Sequence, residues 1–167
     1  MCVYTGEAVE KYSGTKQMNR RQTFMNLLLC RVIFLRINAS NIGYHTIRNY
    51  NNFDTLIINE KEIRHEMRDK ISKLEILMSN LSKEKNIKNL IVTLGGKGSV
   101  LYNKKQNKYF YMDAYAHKIV DKVGAGDTML SFIAPCLKSK INSDTSLLIS
   151  SMAAAHSVET IGNKHSI

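Results

Sequence analysis

Tryptophan is absent from these 167 residues, proline occurs once and cysteine three times. Cys2, Cys30 and Cys136 are odd in number, far apart and outside any C-x-x-C pair. That pattern excludes a disulfide-stapled scaffold and a cysteine zinc site, and it suits a reducing cytoplasm. The lone Pro135 offers no proline-rich linker and no domain boundary, and no internal repeat is visible. Membrane-length apolar runs are missing as well. The stretch from Phe24 to Leu35 contains Arg31 and falls short of the roughly 20 residues a span requires. It is also followed by Arg36-Ile37-Asn38 instead of a small-residue cleavage site, which argues against a signal peptide. Acidic residues are scarce, 14 against 24 basic, for a formal charge of +10. The lysines are spread over polar faces and loops with no aromatic-basic motif among them, so the surplus reads as a solvated surface and no nucleic-acid partner is expected.

The remaining composition suits one domain, since a chain of about 150 residues hides roughly two thirds of its unfolded surface on folding. Asp54 to Asn59 reads as a buried strand. Ile63, Met67, Ile71, Leu74, Met78 and Leu81 follow it at helical spacings of three and four. Lys88 to Leu94 is a second apolar strand, which Gly95-Gly96-Lys97-Gly98 turns into a third, Ser99 to Asn103; Lys104 to Asn107 then leads to Lys108 to Met112. His117 to Val120 is expected as another short strand and Thr128 to Leu137 as a helix with an awkward Pro135. The last helix is expected from about Asp144 to Ile161, with Ser143 or Asp144 as its cap and Gly162 as its terminator. Strands alternating with helices predict an α/β fold with a largely parallel sheet. In such sheets ligands gather beyond the carboxyl ends of the strands, where Asn59, Gly95 and Gly124 would lie together.

The stretch richest in chemistry is Asp121-Lys122-Val123-Gly124-Ala125-Gly126-Asp127-Thr128. Its glycines let backbone N–H groups approach a ligand, and a helix beginning near Asp127 adds partial positive charge for phosphate. An acid in that place would repel phosphate unless it had a task, such as taking the proton from an attacking alcohol while the amides stabilise the transferred phosphoryl group. The plainer alternative is that Asp127 only caps a helix. Spacing excludes two other glycine loops. Gly96-Lys97-Gly98-Ser99 lacks the upstream glycine of a P-loop and has no Ser or Thr directly after its lysine, and Met129 stands where a dinucleotide fingerprint starting at Gly124 needs glycine or alanine. Asn59 and Glu62 allow two readings, a helix capping box or a polar pair serving a ligand.

In order and spacing, Asp54 to Asn59 with Glu62, Val92-Thr93-Leu94-Gly95-Gly96-Lys97-Gly98, and Asp121 to Thr128 resemble the PfkB family of ribokinase-like carbohydrate kinases. The tail Ala153 to Gly162 looks most like the kinase domain of enzymes that phosphorylate heptose phosphate for ADP-heptose synthesis. The resemblance implies the C-terminal part of a ribokinase-like three-layer fold in residues 37–167, truncated on the N-terminal side, behind an atypical segment 1–36 that matches nothing in the family. It implies Asp127 as catalytic base, with the amides of Gly124, Ala125 and Gly126 as an anion hole. ATP would be bound by Thr93, Gly95, Gly98, Asn59, Glu62 and Ala154, and Mg²⁺ organised by Glu62 through water. Lys122 departs from the threonine common in the family, and Pro135 interrupts the helix after the motif. Two functional readings follow, an ATP-dependent kinase of a sugar or sugar phosphate, or a non-catalytic nucleotide-binding remnant of one. An abbreviated sheet would leave strand edges through which copies could associate.

Overall fold

The computed structural model describes residues 3–4, 34–36, 47, 52–121 and 124–159. The rest of segment 1–36, Lys122 and Val123 of the glycine loop, and the proposed terminator Gly162 lie outside the described residues. Among the described residues six strands form one sheet in sequence order: β1 (Val3–Tyr4), β2 (Phe34–Arg36), β3 (Thr55–Asn59), β4 (Asn89–Thr93), β5 (Ser99–Asn103) and β6 (Lys108–Met112). Helices α1 (Glu60–Met67) and α2 (Leu74–Glu84) join β3 to β4, and α3 (Ala125–Lys138) and α4 (Ser143–Glu159) follow the sheet.

Alternation along the strands builds the layers, because successive side chains of a strand point to opposite faces. Leu56, Ile58, Leu90, Val92, Val100 and Tyr102 pack on one face with Ile63, Leu77, Met78 and Leu81 of α1 and α2. Ile57, Ile91 and Leu101, the residues between them, pack on the other face with Met129, Leu130 and Ile133 of α3 and Leu147 of α4. The central strands are therefore covered on both sides, as their nearly unbroken apolar runs require. Tyr102 and Tyr109 stack across the hairpin with ring centroids 4.7 Å apart.

The α/β class holds, but the sheet is mixed instead of largely parallel. Among the described residues only β2 with β3 and β3 with β4 pair in parallel. β1 joins β2, β4 joins β5 and β5 joins β6 antiparallel. The reason is local: the turns at Gly95–Lys97 and residues 104–107 are too short to carry a crossover and allow only hairpins.

The single helix implied by the spacing from Ile63 to Leu81 is two helices. α1 ends where Arg68 turns left-handed (φ 51°), and Asp69 Oδ1 then accepts the N–H groups of Ile71 and Ser72, each at 2.9 Å. This Asx turn competes successfully with helix continuation and leaves Ile71 96% exposed, outside the core its spacing suggested. Hydrogen bonding by Ser72, above all to its side chain, holds the Asp69 carboxyl at about 2, below the ordinary 3.8. A depressed carboxylate pKa stabilises the fold above the unfolded value and loses that contribution as pH falls from about 4 toward 2. We expect NMR titration to place the Asp69 midpoint near the bottom of that window, and Asp69→Ala to remove this part of the acid dependence of unfolding.

His117 to Val120 is not a strand. Val120 and Asp121 donate their N–H groups to Val158 O, at 2.8 and 3.1 Å, so this segment bonds to the end of α4 instead of the sheet. α3 starts three residues earlier than expected and runs through Pro135, which has no N–H to donate to Ser131 O one turn earlier. The cap of α4 is Asn142, whose Oδ1 accepts the Thr145 N–H at 2.8 Å, in place of Ser143 or Asp144. Ser143 Oγ instead accepts from Asn103 Nδ2 at 3.1 Å.

Candidate active site

The carboxyl ends of β3 and β4 open onto a cleft of about 470 Å³, within the usual size of a small-molecule site. The sheet register sets its edge. Asn59 pairs with Thr93, Thr93 with Ser99 and Ser99 with Met112, so these four residues form one row across the sheet. Ser99 is tied to α4 by a 3.2 Å contact between its hydroxyl and that of Ser151.

Three loops meet at this cleft. The first is the junction of β3 and α1, where Asn59 Oδ1 accepts the Glu62 N–H and Glu62 Oε2 accepts the Asn59 N–H, both at 2.8 Å. The capping box is therefore real, and it does not displace the pair from the site, since Asn59 and Glu62 also line the cleft. Glu62 is only 5% exposed, so the cap holds a nearly buried carboxylate at the edge of the opening.

The second loop joins β4 to β5. Leu94 N–H donates to Gly98 O at 2.8 Å and Gly98 N–H to Gly95 O at 3.0 Å, and Thr93, Gly95, Gly96 and Gly98 line the cleft. Gly98 sits at φ 92° and ψ −137°. A Cβ there would stand 2.0 Å from Met112 O and 2.8 Å from the Asp113 carbonyl carbon, so only glycine lets the turn lie against the end of β6.

The third is the glycine loop. Gly124, left-handed at φ 88°, is the N-cap of α3, which puts Ala125, Gly126 and Asp127 in the first three helical positions. The first helical bond is donated by Thr128 N–H to Gly124 O at 2.9 Å, so the three preceding amides have no acceptor within the helix. Asp127 is thus not the cap, which overturns the plain alternative for this residue. Ala125 and Gly126 line the cleft, whereas Gly124 and Asp127 flank them in sequence without lining it, and Asp127 is exposed on the first turn of α3.

Ala154 lines the cleft from α4. The sequence reading missed the opposite wall, formed by Asp113, Ala114, Tyr115, Ala116 and Ile119, and the apolar floor of Ile57 and Met129. No motif marks that wall, because it is an irregular segment held by contacts with distant stretches, the Gly98 turn and the end of α4 among them. Among the described residues no three His, Cys, Asp or Glu side chains gather as a direct metal site, and no helix is long and apolar enough to cross a membrane.

Sheet, helices and cleft define the fold of ribokinase-like kinases. An Arabidopsis thaliana ribokinase solved with ribose and ATP superimposes with a TM-score of 0.64 at 25% identity, over 77% of this chain and 42% of that one. The profile of the pfkB family carbohydrate kinases matches residues 13–167, and the chain belongs to that family. The match extends well into segment 1–36, which the sequence reading had set apart as foreign to the family. Ribokinase of Dictyostelium discoideum is 35% identical over 95 residues, 48% of this chain and 30% of that protein. Bifunctional protein HldE of Campylobacter concisus is 31% identical over 117 residues, 68% of this chain and 24% of that protein. The chain thus spans less than a third of the length of either of these two relatives.

Proposed function

We propose that this chain carries the ATP-binding and phosphoryl-transfer part of a cytoplasmic carbohydrate kinase whose acceptor is a hydroxyl of a sugar or sugar phosphate. The observation that supports this most is the convergence of three separate loops on one cleft, with a left-handed glycine opening a helix whose first amides meet that cleft. Such amides and a helix N-terminus suit a phosphate. The cleft also fits a nucleotide in its chemistry, with an apolar floor, the small Gly95, Gly96 and Ala154, and one nearly buried carboxylate.

Thr93, Gly95, Gly98, Asn59 and Ala154 would hold the nucleotide, and ATP supplies the phosphoryl group. The amides of Gly124, Ala125 and Gly126 would stabilise charge on the phosphoryl oxygens as it passes in line to the acceptor. Asp127 would take the proton from the attacking hydroxyl. Its exposed position at the rim suits an acceptor lying outside the nucleotide cleft. Mg²⁺ would be held by phosphate oxygens and water, with Glu62 as an outer carboxylate, because this ion tends to keep several waters. The look of residues 153–162 favours a heptose phosphate as acceptor.

The second reading is a nucleotide-binding remnant, favoured by the small share of its relatives that the chain spans. Thermal unfolding with and without millimolar Mg-ATP tests nucleotide binding directly. Ligand at 100 times its dissociation constant stabilises by about 2.7 kcal/mol, which gives a clear upward shift of Tm. Gly126→Val should abolish that shift. An unshifted transition in the parent protein would reject the nucleotide site. With the shift present, ADP formation that depends on added sugar phosphate supports the kinase, and binding without it supports the remnant.

A further inference from the structure

We propose that Glu159 is a positioning residue for the glycine loop, acting through a clasp at the end of α4 that grips the chain on both sides of that loop; the proposal rests on the nucleotide reading above. Before the loop, His117 N–H donates to Glu159 Oε1 at 2.7 Å, and Val120 and Asp121 donate to Val158 O at 2.8 and 3.1 Å. After it, Thr128 Oγ1 donates to Ser157 Oγ at 3.3 Å. Three consecutive residues, Ser157, Val158 and Glu159, therefore bond to the segment entering Gly124 and to the first turn of the helix leaving it.

This geometry gives α4 a task beyond packing. The irregular stretch from Asp113 to Asp121 has no sheet partner, and these bonds are what places Tyr115, Ala116 and Ile119 as a wall of the cleft. The Glu159 bond is the shortest of the set and the only one made by an ionised group, and bonds of that kind are stronger than neutral ones. The same clasp holds Asp121 on one side of the loop and Thr128 on the other, and Ala125 and Gly126 lie between these two anchors in sequence. Site geometry needs tolerances well below 1 Å to function.

The charge of Glu159 makes the test decisive in sign. Were the carboxylate only a charge near a phosphate site, removing it would tighten nucleotide binding by relieving repulsion. As a clasp, its removal should weaken binding. With the full chain, Glu159→Ala should weaken Mg-ATP affinity about tenfold and speed amide hydrogen exchange across residues 118–128 by a similar factor, the scale of one lost hydrogen bond to a charged group. Glu159→Gln keeps an acceptor oxygen for the His117 N–H and should stay within about threefold of the parent on both readouts. His117→Pro removes the donor, and combined with Glu159→Ala it should add little, because both break the same bond. Exchange in the β4–β5 segment should not change in any variant. Tighter or unchanged nucleotide binding in a folded Glu159→Ala protein, or equal losses in Ala and Gln, would overturn the proposal. Should the parent not bind Mg-ATP, the nucleotide reading fails by itself, and the exchange measurement still decides whether Glu159 holds the loop.

Discussion

Asp127→Asn is expected to lower sugar-dependent ADP formation by about two to four orders of magnitude, the usual contribution of a positioned general base. The substitution preserves size, exchanges one acceptor oxygen for an N–H donor, and removes the negative charge together with the ability to accept a proton at neutral pH. Asp127 occupies the third position of α3, not the cap, and the amide that replaces it keeps the side chain's size there. Folding and the Mg-ATP shift should therefore survive in the variant. Phosphate transfer is the readout, measured with the chain alone or complemented by the N-terminal half of a ribokinase relative. Turnover within a few-fold of the parent would reject Asp127 as the base. Loss of the nucleotide shift together with turnover would instead make Asp127 a part of the binding loop.

Gly98→Ala should be the most destabilising single-methyl change in the described structure, by about 4 kcal/mol, at the exceptional end for point substitutions. Two costs coincide there. The backbone occupies a region essentially closed to residues with a Cβ. The added carbon would also meet the Met112 carbonyl oxygen at 2.0 Å and the Ala114 nitrogen at 2.9 Å, all backbone atoms that cannot rotate away. Relief requires the turn to move off the end of β6, which opens the cleft wall that begins at Asp113. Urea unfolding measures the effect. Gly96→Ala is the matched control, since nothing lies within 4 Å of a Cβ there and its φ is not in the left-handed region. A difference of less than about 1 kcal/mol between the two variants would contradict the assigned turn geometry, given the cost of 1 to 3 kcal/mol expected from the backbone alone.

Much of this architecture is legible in the residues themselves. The apolar runs of β3 and β4 announce strands buried on both faces, and the short turns at Gly95–Gly98 and residues 104–107 announce hairpins. Asn59 followed three residues later by Glu62 announces a capping box, which the structure contains. The glycine loop announces a helix start, which lies at Ala125. All are local signals, set by periodicity, by side-chain bonds to nearby amides and by the φ angles that only glycine adopts without strain.

Where local signals competed, tertiary contacts or a stronger local bond decided. The helical spacing through Ile71 was overridden by the Asp69 turn, whose own D-x-x-S pattern was the available sign. The extended look of His117 to Val120 gave way because α4 offered acceptors in Val158 and Glu159, forty residues away in sequence. The role of Asn142 as cap over Ser143 followed from Asn103 engaging the serine hydroxyl. Residue chemistry by itself determined the strands β3 to β6, the two later helices in outline and, through motif order, the family. Only the folded chain decided that an unmarked stretch from Asp113 to Ile119 walls the cleft, and that Ala125 and Gly126 line it while Asp127 does not. The physical reason is that backbone propensity and periodicity act over a few residues, whereas a cleft is made by hydrogen bonds and packing between segments whose proximity no short pattern encodes.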